Sequence, residues 1–223
     1  MKNINTILAV GAVTAVCGGA EAAVVAYWNF NSLTAAPGTA TVISADQGAG
    51  TIFANGSNGS SAWTSLNSNP QLTAFLGVSL NALGADPAGN ALAPANSSSN
   101  GQSITISFDM TGLANLSVSY ATRGTSTGFN SQSWAASVDG VNFVNIQQVT
   151  GTTSSTWSVV TLPTITMLDG SAVAFLRITF QGASSTSGNN RIDNLQLNAD
   201  VIPAPGAMAL LGVAGLIGSR RRR

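Results

Sequence analysis

The sequence predicts an all-β protein, an antiparallel two-sheet β-sandwich with jelly-roll topology, from three observations. Hydrophobic and polar residues alternate in short segments such as Ile104–Phe108 and Leu176–Phe180, which is typical of strands with one face on a core. Segments rich in Ser, Thr, Gly and Asn separate these strands, and hardly any of the chain has a helical pattern. The length of 223 residues has room for one such domain.

The alternation gives the strands in order along the chain. We predict strands at Val24–Phe30, Thr41–Ser44, Ile104–Phe108, Leu116–Tyr120, Trp134–Val138, Phe143–Val149, Trp157–Leu162, Leu176–Phe180 and Arg191–Asn198. Asp139 and Gly140 predict a tight hairpin because both residues tolerate positive φ. Pro70–Leu76 is predicted to form one or two helical turns capped by Asn69, and Gly84–Gly101 is predicted to be a long loop.

The composition excludes several classes of enzyme. The chain has no histidine, and its one cysteine, Cys17, lies in the N-terminal apolar segment, so histidine-based triads, zinc sites and redox cysteine pairs are excluded. Only 7% of the residues are charged, and residues 23–202 contain three arginines and seven aspartates, a formal net charge of −4. Because this body has no basic surface to neutralise phosphates, nucleic acid is not expected as a partner.

Residues 1–22 have the three parts of a secretory signal peptide. Lys2 is followed by the apolar segment Ile4–Val16, which is too short to span a bilayer. Ala20 and Ala22 then form a small-x-small cleavage site, so the sequence predicts export and a mature chain that begins near Ala23. Lipid attachment at Cys17 is an alternative, although the valine before it fits poorly.

Residues 201–223 have the pattern of a second targeting signal. Pro203 and Pro205 interrupt any preceding strand, and the apolar segment Ala207–Gly218 follows them. The chain then ends on Arg220, Arg221, Arg222 and Arg223, which the positive-inside rule keeps in the cytoplasm. The pattern predicts a short hydrophobic helix that holds the exported body, residues 23–200, at the membrane by its C-terminus.

This order of proline motif, apolar helix and arginine cluster resembles the PEP-CTERM sorting signal, also called an ice-binding protein C-terminal motif, of bacteria that make exopolysaccharide. The resemblance implies an exosortase-type membrane transpeptidase as partner, association with extracellular polysaccharide, and a place at the cell envelope or cell surface. Ala204 departs from the pattern, because the family usually has glutamate there. A transmembrane anchor that no enzyme processes is the alternative.

Three phrases of the body resemble secreted jelly-roll domains related to galactose-binding-like and carbohydrate-binding modules. They are Tyr27–Asn31, Ser137–Phe143 and Asn190–Leu195. The resemblance implies the fold but not a ligand, because one fold carries many functions.

Asp193 is the candidate metal ligand. By strand parity it shares a face with Leu195 and Leu197, and a carboxylate placed among leucines needs a partner. The jelly-roll resemblance implies a structural calcium site there, with oxygens near Asn29 or Asn31 as further ligands. The alternative is a carboxylate that accepts backbone N–H groups or pairs with an arginine, Arg191 or Arg177. No other cofactor is predicted.

Trp63 and Trp157 are the candidate ligand-binding residues. Each lies among Ser and Thr residues, which favours exposure, and an exposed aromatic ring can stack on a sugar. Trp28 and Trp134 share their strand faces with apolar residues and are assigned to the core, whereas Tyr27, on the face opposite Trp28, is expected to be exposed.

The sequence therefore predicts an exported, envelope-anchored structural or adhesive protein that is associated with extracellular polysaccharide and has no catalytic activity. One alternative is a carbohydrate-binding module with a specific glycan ligand. Another is an aspartate-based glycoside hydrolase, which needs two carboxyl groups about 5–10 Å apart. Turns account for four of the seven aspartates, namely Asp86, Asp109, Asp139 and Asp169.

Overall fold

The computed structural model describes residues 22–34, 42–63 and 71–203, which form two antiparallel sheets. The strands are β1 (Ala22–Trp28), β2 (Val42–Ser44), β3 (Gln47–Gly48), β4 (Gly50–Phe53), β5 (Leu72–Leu76), β6 (Asn90–Pro94), β7 (Ser103–Phe108), β8 (Leu113–Gly124), β9 (Ser131–Ser137), β10 (Val144–Thr150), β11 (Ser158–Thr161), β12 (Ala174–Gln181) and β13 (Asn190–Val201). One 3-10 turn, Ser97–Ser99, separates β6 from β7.

Sheet A has the strand order β11-β8-β13-β1-β3, with β6 also on β13 and β5 outside β6. Sheet B has the order β10-β9-β12-β7-β4-β2. Every described strand pair is antiparallel, and the central neighbours β1 and β13, β7 and β12, and β8 and β13 come from distant parts of the sequence. The two sheets form a jelly-roll-like β-sandwich, which confirms the predicted fold class.

The core lies between the sheets and is built from the alternating positions of the strands. Sheet A contributes Trp28 and Tyr120, and sheet B contributes Ile106, Trp134 and Phe180, all of them buried. Two polar groups in this core satisfy each other, because the Trp134 Nε1–H donates to the Tyr120 hydroxyl at 3.1 Å. The predicted core positions of Trp28 and Trp134 are therefore confirmed.

The predicted helix at Pro70–Leu76 is wrong. Residues Leu72–Leu76 form strand β5, which pairs with β6, and β6 lies inside the segment predicted to be a long loop. Leu72 and Leu92 are buried in the core, so tertiary burial decides the conformation of segments whose local pattern is weak.

The β9–β10 connection is at the predicted place but is wider than a tight hairpin, since it spans residues 138–143. Asp139 Oδ1 accepts the backbone N–H groups of Val141 and Asn142, each at 2.8 Å, and Gly140 supplies the positive φ of 72°. These hydrogen bonds hold the pKa of Asp139 well below its usual range, so the carboxylate has the predicted turn role.

Most of the predicted signal peptide and most of the predicted C-terminal tail lie outside the described residues. This applies to Ala20, Pro205, Arg220, Arg221, Arg222 and Arg223. Ala22 is the first residue of β1, and the exposed Pro203 follows the end of β13 at Val201. Among the described residues, no helix has the length and apolar character that a membrane span requires.

Candidate functional site

A β-bulge in β13 places Asp193 on the outer surface of sheet A. The pairing of β13 with β8 shifts register between Asp193 and Gln196, and Asn194 has a φ of 48°. Ile192 and Leu195 are consequently both in the core, although only two residues separate them. The predicted shared face of Asp193 and Leu195 is therefore wrong, because the extra residue reverses the alternation between them.

A loop segment covers this part of sheet A and is held by polar side chains of β13. We define it as the covering segment, residues 77–83. Asp193 Oδ2 accepts the Val78 N–H at 2.6 Å, and the Asn194 Nδ2 amide donates to the carbonyls of Val78 at 2.6 Å and Leu80 at 2.9 Å. Asp193 and Asn194 are 1% and 2% exposed, so these hydrogen bonds are shielded from water.

The same contacts account for the state of the Asp193 carboxyl. Burial raises its pKa to about 7, against the opposing effect of the N–H groups of Val78 and Asn194, which favour the ionised form. The Asn194 N–H donates to Oδ1 at 2.9 Å, so each carboxyl oxygen already accepts one backbone hydrogen bond. This arrangement matches the alternative in which Asp193 is a hydrogen-bond acceptor.

Little else in the described residues builds a calcium site at Asp193. No group of three or more Asp, Glu, His or Cys residues gathers within those ranges. The side-chain amides of Asn29 and Asn31 donate instead to Asp86 Oδ2 and to the Pro87 carbonyl, at 3.1 Å each. A structural calcium at Asp193 therefore stays a prediction.

Tyr27 is fully buried, which corrects the expectation that it is exposed. It lies on the outer surface of sheet A, as parity predicts, but its hydroxyl donates to Asn194 Oδ1 at 2.8 Å and accepts the Leu83 N–H at 3.2 Å. The covering segment therefore removes it from solvent, and this burial raises the pKa of Tyr27 to about 12.

Trp63 is also buried, at 2% exposure, so the expectation that it faces solvent is wrong. Its Nε1–H donates to the Ser103 carbonyl at 2.8 Å, and its ring meets Phe180 edge-on with the centroids 5.9 Å apart. The polar residues around Trp63 in the sequence do not predict its burial, because Ser61 and Trp63 are hydrogen-bonded to Ser103 at the start of β7. Its ring is not available to stack on a sugar.

Trp157 is half-buried and stands at the edge of sheet A, directly before β11. The preceding loop is fixed by backbone hydrogen bonding, because the Gly124 N–H donates to the Ser154 carbonyl at 2.7 Å. A side chain at Gly124 would collide with the Thr152 carbonyl, so this close approach requires glycine. The ring lies beside Arg123, whose Cζ is 6.0 Å from the ring centroid.

Three residues that were not predicted as ligand-binding residues lie near Trp157 across sheet A. Arg123 on β8 is paired directly with Arg191 on β13. The Arg191 Cζ lies 5.0 Å from the centroid of the exposed Phe75 ring, and its Nη1–H donates to the Leu76 carbonyl at 2.8 Å. We call these four side chains, Trp157, Arg123, Arg191 and Phe75, the arginine–aromatic row.

The row crosses sheet A from the edge at β11 to the opposite edge at β5. Neighbouring strands lie about 4.8 Å apart, so the row is about 19 Å long. Partial burial, and after it the charge of Arg123, lowers the pKa of Arg191. The row is thus an elongated surface with an aromatic ring at each end and two adjacent cations in its middle.

A second surface feature lies on sheet B. A cleft of about 330 Å³ is lined by Ser133, Asn145, Ile146, Gln147 and Gln148. Its lining is mostly hydroxyl and amide groups and contains no aromatic residue. It therefore lacks the flat apolar surface that the arginine–aromatic row offers to a ligand.

Comparison with known proteins gives similarity of fold only. No family model matches the sequence, and no curated protein matches it significantly. Solved structures similar to this one include the CBM22-1 xylan-binding domain from Paenibacillus barcinonensis, at 9% identity over 84% of this chain and 99% of that chain, with a TM-score of 0.45. The K3 adhesin domain of Lys-gingipain from Porphyromonas gingivalis matches at 11% identity over 80% of this chain and 99% of that chain, with a TM-score of 0.42. No functional residue can be transferred at these values.

Proposed function

We propose that this protein is an exported, non-catalytic domain that binds extracellular polysaccharide. The observation that carries the proposal is the arginine–aromatic row, in which Trp157 and Phe75 remain accessible at the two ends of an open surface. An open surface about 19 Å long suits a polymer better than a small molecule, which proteins usually enclose in a deep pocket.

The chemistry of the row fits sugars. Aromatic rings combine a flat apolar face with specific geometry, and sugar rings have apolar C–H faces that can stack on them. Arginine adds several N–H donors in a fixed plane, which suits the oxygens of a sugar. Arg191 is held in position by the Leu76 carbonyl and by Phe75, so little of its side-chain freedom is lost on binding.

The competing functions are supported less well. A purely structural or adhesive role does not explain why the side chains of the arginine–aromatic row lie together on the surface. A hydrolase needs carboxylates that are free for catalysis, but Asp109 and Asp139 accept backbone N–H groups of their own turns, and Asp169 accepts the Asn115 N–H of β8. Asp46 and Asp86 both accept N–H groups of Asn29. These hydrogen bonds give each of the carboxylates a local structural role.

Replacing Trp157 with alanine tests the proposal. The purified full chain is applied to immobilised polysaccharides, and the wild-type protein is expected to be retained by at least one of them. Trp157→Ala is expected to lose about tenfold or more in affinity, because truncating an aromatic hot spot costs about 2 kcal/mol or more. The control is Val141→Ala, which removes a side chain that is 78% exposed on the β9–β10 connection of sheet B and is expected to change nothing. Failure of every polysaccharide to retain the wild type would support the structural alternative instead.

We also propose that residues 201–223 are a sorting and anchoring tail, read by an exosortase-type transpeptidase at the membrane. Support comes from the proline, apolar and arginine segments of the sequence and from the end of β13 at Val201, which leaves no strand beyond this residue in the described part of the tail. On this proposal the domain stands at the cell envelope or cell surface.

Deleting residues 202–223 is expected to release a folded domain into the medium. The deletion breaks one described backbone hydrogen bond, from the Ile202 N–H to the Gly112 carbonyl, and removes no strand. Fractionation and thermal unfolding of the released protein check this result. Replacing Pro203 and Pro205 with alanine in the full chain separates enzymatic sorting from a plain anchor, because only sorting depends on the proline motif. A truncated protein that misfolds or stays with the envelope contradicts the proposal.

A further inference from the structure

The pairing of Arg123 with Arg191 is electrostatically unusual in this domain. Residues 23–202 contain three arginines, no lysine and seven aspartates. Two of the three arginines nevertheless lie directly opposite each other on neighbouring strands. Like charges at such positions destabilise a sheet, so the arrangement has a cost that the fold itself does not require.

The two arginines are not neutralised by any described residue. Arg123 makes neither a hydrogen bond nor an ion pair within the described ranges, and its one polar contact is with the Trp157 ring. Arg191 makes a single hydrogen bond, to the Leu76 carbonyl, and its Nε–H is buried without a partner. Arg123 therefore retains its N–H donors for a ligand, and Arg191 retains the terminal N–H groups that Leu76 does not use.

The aspartates are all engaged elsewhere. Asp193 is the nearest in sequence to Arg191, and both of its oxygens accept backbone N–H groups. Asp200 accepts a hydrogen bond from the Asn115 amide at 3.0 Å. The remaining five accept hydrogen bonds from Asn29, from turns or, for Asp169, from Asn115 of β8, and they are Asp46, Asp86, Asp109, Asp139 and Asp169. No described aspartate therefore supplies a negative charge that neutralises Arg123 and Arg191.

We infer that the arginine–aromatic row binds a polysaccharide whose sugars carry anionic groups, with a carboxylate or sulfate placed between Arg123 and Arg191. The inference rests on the proposed function and narrows its substrate class. Two guanidinium groups offer parallel pairs of N–H donors, which match the planar carboxylate of a uronic acid or the oxygens of a sulfate ester. Trp157 and Phe75 then take the neighbouring sugar rings of the same chain.

The test compares polymers that differ in charge but share a backbone. The purified full chain is titrated with polygalacturonate and with its highly methyl-esterified form, and in parallel with dextran sulfate and dextran. We expect at least tenfold tighter binding to the charged polymer of one pair than to its neutral form. Preference for polygalacturonate identifies carboxylate as the bound group, and preference for dextran sulfate identifies sulfate. We expect the preference to fall as the salt concentration rises from about 0.05 M to 0.3 M, since screening weakens exposed ionic contacts.

Arg123→Gln is the decisive variant, because this side chain makes no hydrogen bond within the described residues and its replacement is expected to leave the fold intact. It is expected to lose about tenfold in affinity for the charged polymer and clearly less for the neutral form, which loses only hydrogen bonds to sugar oxygens. Arg191→Gln is expected to lose at least as much. The matched control is Arg177→Gln on β12 of sheet B, where the third arginine stacks on Phe143, and it is expected to bind as the wild type does.

The outcomes separate this inference from the proposed function. Equal binding of charged and neutral polymers, or an Arg123→Gln variant that binds like the wild type, overturns the inference. If that binding still depends on Trp157, the proposed function stands. Retention of single-stranded DNA as strong as that of the charged polysaccharide overturns the inference as well, because the row then recognises charge without sugar. No binding to any polysaccharide overturns both.

Discussion

Replacing Asn194 with alanine is expected to destabilise the domain by about 4 kcal/mol. The side chain makes three hydrogen bonds in a buried site, donating to Val78 and Leu80 and accepting from the Tyr27 hydroxyl. Each buried partner left unsatisfied costs about 1–3 kcal/mol. The bulge adds to this cost, because φ at this position is 48° and asparagine tolerates that conformation better than alanine. Urea denaturation of the two proteins measures the difference.

Two further variants make this result interpretable. Asn194→Gly keeps the backbone freedom and loses the hydrogen bonds, so it is expected to lose nearly as much stability as the alanine variant. Asn198→Ala changes the same residue type on the same strand, where the amide makes one long hydrogen bond of 3.4 Å to Gln196, and it is expected to lose less than about 1 kcal/mol. If Asn194→Ala also loses less than about 1 kcal/mol of stability, the hydrogen bonds between β13 and the covering segment contribute little to the stability of the domain.

Stability is expected to fall as the pH rises from about 4 to about 7, through the ionisation of Asp193. Burial raises the pKa of this carboxyl to about 7 from an ordinary value of 3.8. The folded state therefore binds more protons than the unfolded state in this interval, and stability decreases with pH wherever that is so. The contribution of Asp193 to the free energy of unfolding is fully present below about pH 4 and is lost by about pH 7. Since one pKa unit corresponds to about 1.4 kcal/mol, this contribution is on the order of 4 kcal/mol.

Thermal unfolding measured at several pH values between 4 and 8 tests this expectation. Asp193→Asn cannot ionise and is expected to remove the slope. Asp109→Asn is the control, because hydrogen bonds from Thr111 lower the pKa of the exposed Asp109, the direction opposite to that of Asp193. A wild-type protein whose stability is constant or increases between pH 4 and 7 would show that Asp193 is ionised throughout the interval.

From the sequence, single residues of the candidate site could be predicted, but not which residues of different strands lie next to each other. The sequence predicted Trp157 as a ligand-binding residue, which stays a prediction, and the structure places this ring half-buried beside Arg123. It also identified Asp193 as a carboxyl in need of partners, and the partners are the backbone N–H groups of Val78 and Asn194. It missed Arg191 as a neighbour of Arg123, since these residues are 68 positions apart in the chain and only the register of β8 and β13 brings them together.

What the sequence by itself determined is the set of properties that follow from local backbone geometry. In a strand, successive side chains point to opposite faces, so alternation alone identified Ile104–Phe108 and Leu176–Phe180 as strands with one face in a core. Tertiary structure decided which strands pair, where the bulge at Asn194 reverses the alternation, and which polar-flanked aromatics such as Trp63 are buried. These features depend on contacts between residues far apart in the chain, whose energies no local pattern of hydrophobic and polar residues contains.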